Sequence, residues 1–355
     1  MGIVENPQLI VTLDYEIFGN GSGALQPCVL EPTNRILKLA EAVAAPVTIF
    51  VDAACFSVME LANQDVSLIK RQLCNAVVQG HDVQLHLHPQ WTDPGQFTDG
   101  QWHLELDKWR IADNTDKEIY KQVVSGCRWL EEVIAKVKPE YHCSAFRAGG
   151  WCIQPSRKIL AILAECGFAM DSSVAPGAYN LTKGQWFDFR GTPEKGVWWL
   201  QEDVCKAEIK TRSHLLEVPI TTANIGATRH LRALLAMRRR ANGGLAPECC
   251  GVYDGPSSKW QSMAGKVSKA SNLGRVMLDF STLPADVLIT TCEQWLEKYE
   301  ENAPGLTPLV AIGHTKNFSL ESESQFNEFL SWAKAEGYTF TTYPEWFDNA
   351  CGSLE

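Results

Sequence analysis

Short apolar runs alternate with longer segments of helical periodicity along most of the chain. The apolar runs have the length and the β-branched content of buried strands, and the segments between them repeat apolar residues every three to four positions. The predicted strands are Leu9–Leu13, Val47–Val51, Val83–His88, Ser144–Arg147, Phe168–Asp171, Leu215–Ile220, Val276–Asp279, Pro308–Gly313 and Thr339–Thr342. The predicted helices are Thr33–Ala44, Val66–Val78, Asp116–Val137, Ser156–Cys166, Thr228–Arg240, Ala285–Glu301 and Glu321–Glu336. This repeated alternation predicts an α/β fold with a parallel sheet or barrel.

Two segments interrupt the alternation. Residues 179–210 are rich in tryptophan, glycine and charge, and residues 241–272 are rich in glycine, serine, proline and lysine. Both have the character of insertions rather than of linkers between domains. Length alone allows one large domain or two smaller ones. We expect residues 1–355 to form a single domain with loop insertions near 179–210 and 241–272.

Composition narrows the possible partners. A formal net charge of -10 argues against a nucleic-acid or anionic-membrane surface, which would need a basic face. No apolar run approaches the roughly 18 residues of a membrane-spanning helix. The first residues lack the basic and apolar regions of an export signal, which predicts a cytoplasmic protein. The 12 cysteines are scattered and include no Cys-x-x-Cys pair, which favours free thiols over a disulfide framework or a zinc knuckle.

Two histidines end the third predicted strand. His86 and His88 are two positions apart, so they share one face of the strand, and Pro89 follows at once. This places two neutral nitrogen donors at the mouth of a sheet or barrel, where active sites of α/β proteins are usually found. A His-x-His pair alone is also common in sites without a ligand, so its interpretation depends on the other strand ends.

Charged or titratable side chains also end five other predicted strands. An arginine beside paired glycines at the end of an apolar strand is suited to holding a carboxylate in its ionised form. Acids, histidines and arginine that converge on one rim are what a metal-dependent hydrolase requires. These additional strand-end residues are Asp14 and Glu16, Arg147, Asp171, Glu217, and His314.

In this order the strand ends resemble the motifs of the polysaccharide deacetylase superfamily, the NodB-homology group of carbohydrate esterase family four. Thr12-Leu-Asp14-Tyr-Glu16 is similar to the first motif, and Gly80-His-Asp-Val-Gln-Leu-His86 to the second. The later motifs are similar to Phe146-Arg147-Ala-Gly-Gly-Trp151, to Asp171 in Asp-Ser-Ser, and to Ile312-Gly-His314. The resemblance spans nearly the whole chain and implies a distorted (β/α)7 barrel.

The second motif departs from the family pattern, in a form that resembles a WalW-like variant. The family places its second metal histidine four residues after the first, and this chain has Gln90 there. His88 is the obvious substitute. If His88 does not take that place, the site would be weakened, because two ligands hold zinc poorly.

The resemblance implies a role for each motif residue. Glu16, His86 and His88 would bind a divalent metal, with zinc the expected ion. Asp14 would act as the general base, kept ionised by Arg147. His314, oriented by Asp171, would protonate the leaving amine. A second assignment makes Asp14 the metal ligand and Glu16 a bystander.

The implied substrate is a carbohydrate. We expect hydrolysis of an N-acetyl or O-acetyl group on an amino sugar of a polysaccharide, a lipid-linked precursor or a nucleotide-sugar. Trp91 and Trp151 directly follow two motifs and could present aromatic faces to a sugar ring. Glu217 could be a substrate contact or could lie behind the site.

Two other functions stay open on the sequence. Members of the same superfamily hydrolyse non-sugar amides such as ureides and cyclic imides. The other alternative is a catalytically silent glycan-binding protein. It is suggested by Gln90, which stands where the family has a metal-binding histidine. The oligomeric state cannot be predicted from the sequence.

Overall fold

The structure is a computed structural model that describes residues 6–182, 184–207, 215–241, 274–299 and 306–350. The predicted insertion at 241–272 lies outside the described residues, apart from Ala241 at the end of a helix. The predicted insertion at 179–210 is described except for residue 183 and residues 208–210.

Strands and helices alternate through most of the described chain. The strands are β1 Gln8–Tyr15, β2 Val47–Asp52, β3 Asp82–Leu87, β4 Pro94–Thr98, β5 Gln101–Leu104, β6 Ala145–Ala148, β7 Met170–Asp171, β8 Tyr179–Leu181, β9 Trp186–Asp188, β10 Trp198–Trp199, β11 Leu216–Glu217, β12 Thr222–Asn224, β13 Arg275–Met277, β14 Leu309–His314 and β15 Thr339–Phe340. The α-helices are α1 Glu31–Ala42, α2 Ala53–Leu61, α3 Ser67–Val78, α4 Asp116–Ile134, α5 Arg157–Glu165, α6 Ala227–Ala241, α7 Ala285–Tyr299, α8 Leu320–Ala335 and α9 Tyr343–Ala350. Short helical turns that bear on the site are Pro89–Thr92, Gly149–Trp151 and Thr315–Asn317.

One curled sheet forms the centre of the molecule. Its strands run in the order β10, β11, β7, β6, β3, β2, β1, β14, and β15 pairs with the start of β1. All of these pairs are parallel except β10 with β11. Backbone hydrogen bonds extend the curl beyond β14, from Thr221 N to Val310 O and from Leu278 N to Thr221 O. The predicted distorted α/β barrel is confirmed.

The core explains why the strands read as continuous apolar runs. β1 lies between β2 and β14, and its residues from Leu9 to Tyr15 are all buried. Parallel strands covered by helices are apolar on both faces, so they show little alternation. The carboxyl ends of parallel strands share one rim. The polar residues that end β1, β3, β6 and β14 are therefore brought together there.

Some elements were not predicted. α2 begins directly after β2, and its sequence Ala-Ala-Cys-Phe-Ser-Val-Met-Glu-Leu has no clear polar face that would mark an amphipathic helix. The hairpin of β4 and β5 follows the turn Pro89–Thr92, and its Trp102 packs against Trp91. Within the predicted insertion at 179–210, β8 and β9 form a second hairpin.

The described part of the chain bears on two predictions from composition, the lack of a membrane-spanning helix and the presence of free thiols. None of its helices has both the length and the apolar character needed to cross a membrane. Its nine cysteines are free thiols, five of them buried.

Candidate metal centre and active site

The carboxyl end of β1 supplies two acids to one side of the sheet. Asp14 pairs in register with His314 of β14 on one side and with Phe50 of β2 on the other. Glu16 follows two positions later, and both carboxylates are buried. The alternation of the strand thus directs both acids to the same rim.

Three ligand atoms converge beside Glu16. Its Oε2 lies 2.6 Å from His88 Nε2 and 3.6 Å from His86 Nε2. The ligand atoms of all three residues lie within 4.8 Å of one another. The ligand atoms of a second set, Asp14, Glu16 and His314, also lie within 4.8 Å of one another. Glu16 belongs to both sets, so the structure places it at the centre of the cluster.

Each histidine has a polar neighbour on its other ring nitrogen. His86 Nδ1 lies 2.9 Å from the carbonyl oxygen of Arg147, to which a proton on Nδ1 would be donated. This arrangement leaves Nε2 of His86 free of a proton and available to a metal. His88 Nδ1 lies 3.0 Å from the side-chain amide of Gln90, which also donates to the carbonyl oxygen of Gly19. His88, and not Gln90, therefore faces Glu16, and Gln90 lies behind the ring.

Asp14 is held by Arg147, whose side chain is completely buried. Nη1 of Arg147 donates to Asp14 Oδ1 at 2.7 Å and to Thr12 Oγ1 at 2.9 Å. Nε and Nη2 donate to the carbonyl and hydroxyl oxygens of Ser172. Burial acts to raise the pKa of Asp14, but Arg147, helped by His86 and His314, outweighs it and holds that pKa below the ordinary value. The carboxylate is therefore kept ionised in spite of its burial.

His314 lies between two carboxylates. Its Nε2 is 3.6 Å from Asp14 Oδ2, and its Nδ1 is 3.8 Å from Asp279 Oδ2. Asp171 was expected to orient His314, but the carboxylate that lies beside Nδ1 is that of Asp279. Asp279 precedes Phe280, whose backbone N donates to Ile312 O of β14, which brings the aspartate next to the end of that strand.

Asp171 and Glu217 form a buried acid pair away from His314. They are register partners in β7 and β11, and both are 0 % exposed. Asp171 accepts from Ser173 Oγ at 2.7 Å, and Glu217 accepts from the backbone of Val174 at 3.2 Å. Burial, with the neighbouring Asp171, raises the pKa of Glu217 well above its ordinary value, and burial raises that of Asp171 as well. Glu217 is 0 % exposed, which favours the alternative that it lies behind the site over a contact with substrate.

The two tryptophans named from the sequence lie in different environments. Trp91 is 2 % exposed and packs edge-on against Trp102, which leaves no face of the ring open to a sugar. Its expected role in binding substrate is corrected for this reason. Trp151 is half-buried and meets the ring of His314 at 5.9 Å between centroids. Its backbone φ is +60°, a left-handed conformation that a bulky residue seldom adopts outside functional sites.

Three further charged groups at this rim were not predicted. Lys316 Nζ donates to Glu16 Oε1 at 2.6 Å. Asp52 ends β2 beside His86, and burial raises the pKa of its carboxyl to about 7. The third is Asp279. A sequence signal existed for Asp52, since it directly follows the apolar end of a predicted strand.

Comparisons with known proteins address the fold. No family model matches the sequence, and a search of curated proteins gave no match. Among solved structures, the 4-α-glucanotransferase of Thermococcus litoralis gives a TM-score of 0.51 at 10 % identity, over 97 % of this chain and 40 % of that chain. A Mycobacterium smegmatis structure assigned to the polysaccharide deacetylases gives 0.49 at 14 % identity, over 96 % and 89 % of the two chains. The Puue allantoinase gives 0.46 at 14 % identity, over 95 % and 87 %. At 10 % identity, the likeness to the 4-α-glucanotransferase shows the fold alone.

The geometry of the site itself tests whether it suits a metal. Two imidazole nitrogens and one carboxylate oxygen are a donor set that divalent zinc and iron commonly take in proteins. Within the described ranges, Glu16 Oε2, His86 Nε2 and His88 Nε2 are buried and have no hydrogen-bond partner of good geometry. Buried polar atoms without partners are unfavourable, and one cation between them would satisfy all three. The residues present therefore fit a divalent metal.

Proposed function

We propose that the protein is a metal-dependent hydrolase that removes an N-acetyl or O-acetyl group from an amino sugar. The observation that carries this proposal is the convergence of Glu16 Oε2, His86 Nε2 and His88 Nε2 beside an ionised Asp14. The motif order of the sequence supports the same reaction class. In this proposal the three converging residues bind the metal, with zinc the expected ion, and positions remain open for water and substrate.

Asp14 is assigned the role of general base. Its Oδ1 is engaged by Arg147, whereas its Oδ2 points into the site towards His86 and His314. A base must be deprotonated before it can accept a proton, and Arg147 maintains that state. When bound, a divalent metal supplies Lewis-acid activation of water and of the acetyl carbonyl. Asp14 Oδ2 would take the proton that the attacking water loses.

His314 is assigned the role of general acid. It lies across Asp14 from the metal ligands, with Nε2 directed into the site and Nδ1 towards Asp279. An amine leaves poorly as an anion, so its nitrogen must receive a proton as the C–N bond breaks. The carboxylate of Asp279, 3.8 Å from Nδ1, is placed to support the ring in that role. In this assignment Asp279 takes the positioning role that was expected of Asp171.

The substrate assignment is supported by the surface of the site. Trp151 meets His314 and also packs edge-on against Phe187, so one half-buried aromatic ring stands beside the proposed acid. Aromatic rings commonly present an apolar face to sugars. The net charge of -10 is compatible with a neutral or weakly charged glycan. A polysaccharide, a lipid-linked precursor and a nucleotide-sugar are the substrate classes to compare.

The decisive experiment couples metal analysis to acetate release. Protein purified without chelator should contain a stoichiometric divalent metal and should release acetate from N-acetylated oligosaccharides or nucleotide-sugars. His86→Ala should lose both properties, whereas His142→Ala, which removes an exposed histidine, should retain both. Acetate release that persisted in His86→Ala would refute the proposed mechanism.

Three further outcomes would redirect the proposal. Loss of metal in Asp14→Ala with retention in Glu16→Ala would make Asp14 the ligand. Hydrolysis of ureides or cyclic imides without acetate release would make the protein a hydrolase of non-sugar amides. Protein without metal that still binds glycans would be catalytically silent.

A further inference from the structure

Lys316 engages one of the two carboxylate oxygens of Glu16. Its Nζ lies 2.6 Å from Oε1, whereas Oε2 faces His88 Nε2 at 2.6 Å and His86 Nε2 at 3.6 Å. The two oxygens of this carboxylate therefore have different partners. Only Oε2 is available to an ion held between the histidines.

The position of Lys316 is fixed by its surroundings. Its Nζ lies 3.5 Å from the carbonyl oxygen of Ile17 and 5.8 Å from the ring centroid of Phe18, and its side chain is only 14 % exposed. The preceding residue, Thr315, donates its hydroxyl to the carbonyl oxygen of Glu16 at 3.1 Å. The turn after β14 thus holds both the backbone and the side chain of Glu16.

Lys316 also changes the charge that an entering metal meets. Each acid at the end of β1 has its own cation, Arg147 on Asp14 at 2.7 Å and Lys316 on Glu16 at 2.6 Å. These four groups carry no net charge together. In a buried site, a cation this close to the ligand opposes the binding of a second cation. Lysine is suited to this role because its charge is compact.

We propose that Lys316 is a positioning residue that restricts Glu16 to a single ligand oxygen and thereby keeps one metal position open for substrate. This inference rests on the metal centre of the proposed function. Without Lys316, both oxygens of Glu16 are free to turn towards the metal. The ion would then be held more tightly, and the position that the acetyl oxygen needs would be filled.

Variants of Lys316 test this proposal by metal binding rather than by activity alone. Zinc affinity is measured by competition with a chromophoric chelator, and the ligand number is followed by the visible absorption of the Co²⁺-substituted protein. Lys316→Met should bind zinc roughly tenfold more tightly. Its Co²⁺ bands should weaken, as expected for a higher coordination number. Lys316→Arg keeps the positive charge and should therefore bind zinc no more tightly than the wild type.

The control and the contrary outcomes separate this inference from the proposed function. Lys334→Met removes an exposed lysine from α8 and should change neither readout. Zinc binding in Lys316→Met that is unchanged or weaker, with an unchanged Co²⁺ spectrum, would overturn the role of Lys316 while the metal site stands. A wild-type protein that takes up no metal would instead refute the proposed function. Circular dichroism establishes that each variant is folded, and Lys316→Gln replaces Lys316→Met if the latter is not, with tighter zinc binding expected and unchanged binding contradicting the proposal.

Discussion

Gly149 lies directly against the imidazole ring of His88. A Cβ atom placed at position 149 would stand 2.5 Å from Cγ and 2.6 Å from Nδ1 of that ring. Such a separation is far below van der Waals contact, so only glycine lets the ring occupy its present position. Gly149, the residue directly after β6, therefore sets the position of a proposed metal ligand directly after β3.

The first prediction concerns this contact. Gly149→Ala should displace the ring of His88 and weaken zinc binding by roughly 10–100-fold, the range typical when the support of a metal ligand is lost. The fold should persist, because the change adds one methyl group in the short turn Gly149–Trp151. Chelator competition measures the affinity, and a thermal melt measures the fold.

A matched glycine provides the control. Gly191 is exposed, and a Cβ placed there would meet no atom within 4 Å of the described structure. Gly191→Ala should therefore bind zinc like the wild type. Equal affinity in both variants and the wild type would show that His88 is not a ligand, or that its ring adjusts without loss.

The position of His88 could be predicted from the sequence only in part. Strand alternation places His86 and His88 on one face, and the shared rim of parallel strands brings them to Glu16. The alternation could not decide between His88 and Gln90 as the residue facing Glu16. That choice depends on the turn at Pro89–Thr92 and on the space left by Gly149, which are tertiary features.

The second prediction assigns Gln90 a supporting role. Its side-chain amide lies 3.0 Å from His88 Nδ1 and 3.0 Å from the carbonyl oxygen of Gly19. Gln90→Met keeps the volume but removes both contacts, and it should lower zinc affinity by roughly 10–100-fold. His88→Ala should abolish binding. If Gln90→Met abolished binding and His88→Ala did not, Gln90 would be the ligand.

The third prediction separates Asp279 from Asp171. Asp279→Asn removes the carboxylate beside His314 Nδ1 and should lower kcat at least about tenfold, within the ~10²–10⁴-fold that general acid–base catalysis contributes. KM should change little, because Asp279 is proposed to act through His314 and not on the substrate itself. Asp171→Asn should have the smaller effect on kcat. A larger loss from Asp171→Asn than from Asp279→Asn, in folded proteins of equal metal content, would restore the original expectation.

The sequence predicted Asp171 beside His314, whereas the structure has Asp279 there, and the reason for this error is physical. Both aspartates follow apolar runs, at Phe168–Asp171 and Val276–Asp279, so pattern alone treats them alike. What separates them is which strands are neighbours. The segment with Asp279 bridges to Ile312 of β14, whereas Asp171 is the register partner of Glu217 in β11. The predicted contact of Trp91 with substrate was wrong for a related reason, because the hairpin that covers Trp91 was not predicted.

The fourth prediction uses the buried acid pair to make stability depend on pH. Burial, with the nearby Asp171, raises the pKa of Glu217 well above its ordinary value of 4.5. The folded state therefore favours the protonated form, and stability is lost as the pH rises from about this ordinary value through the folded pKa. Glu217→Gln stays neutral and lacks this loss. Urea unfolding of the wild type and of Glu217→Gln should thus give midpoints whose difference increases in favour of the variant between acidic and alkaline pH.

An exposed acid distinguishes this effect from a general charge effect. Glu336→Gln, at the solvent-exposed end of α8, removes the same charge without touching the pair. Its midpoint should follow that of the wild type across the pH range. If Glu217→Gln also followed the wild type, the carboxyl of Glu217 would have to be ionised at little cost. That outcome would contradict the prediction that burial beside Asp171 keeps the carboxyl of Glu217 protonated in the folded state.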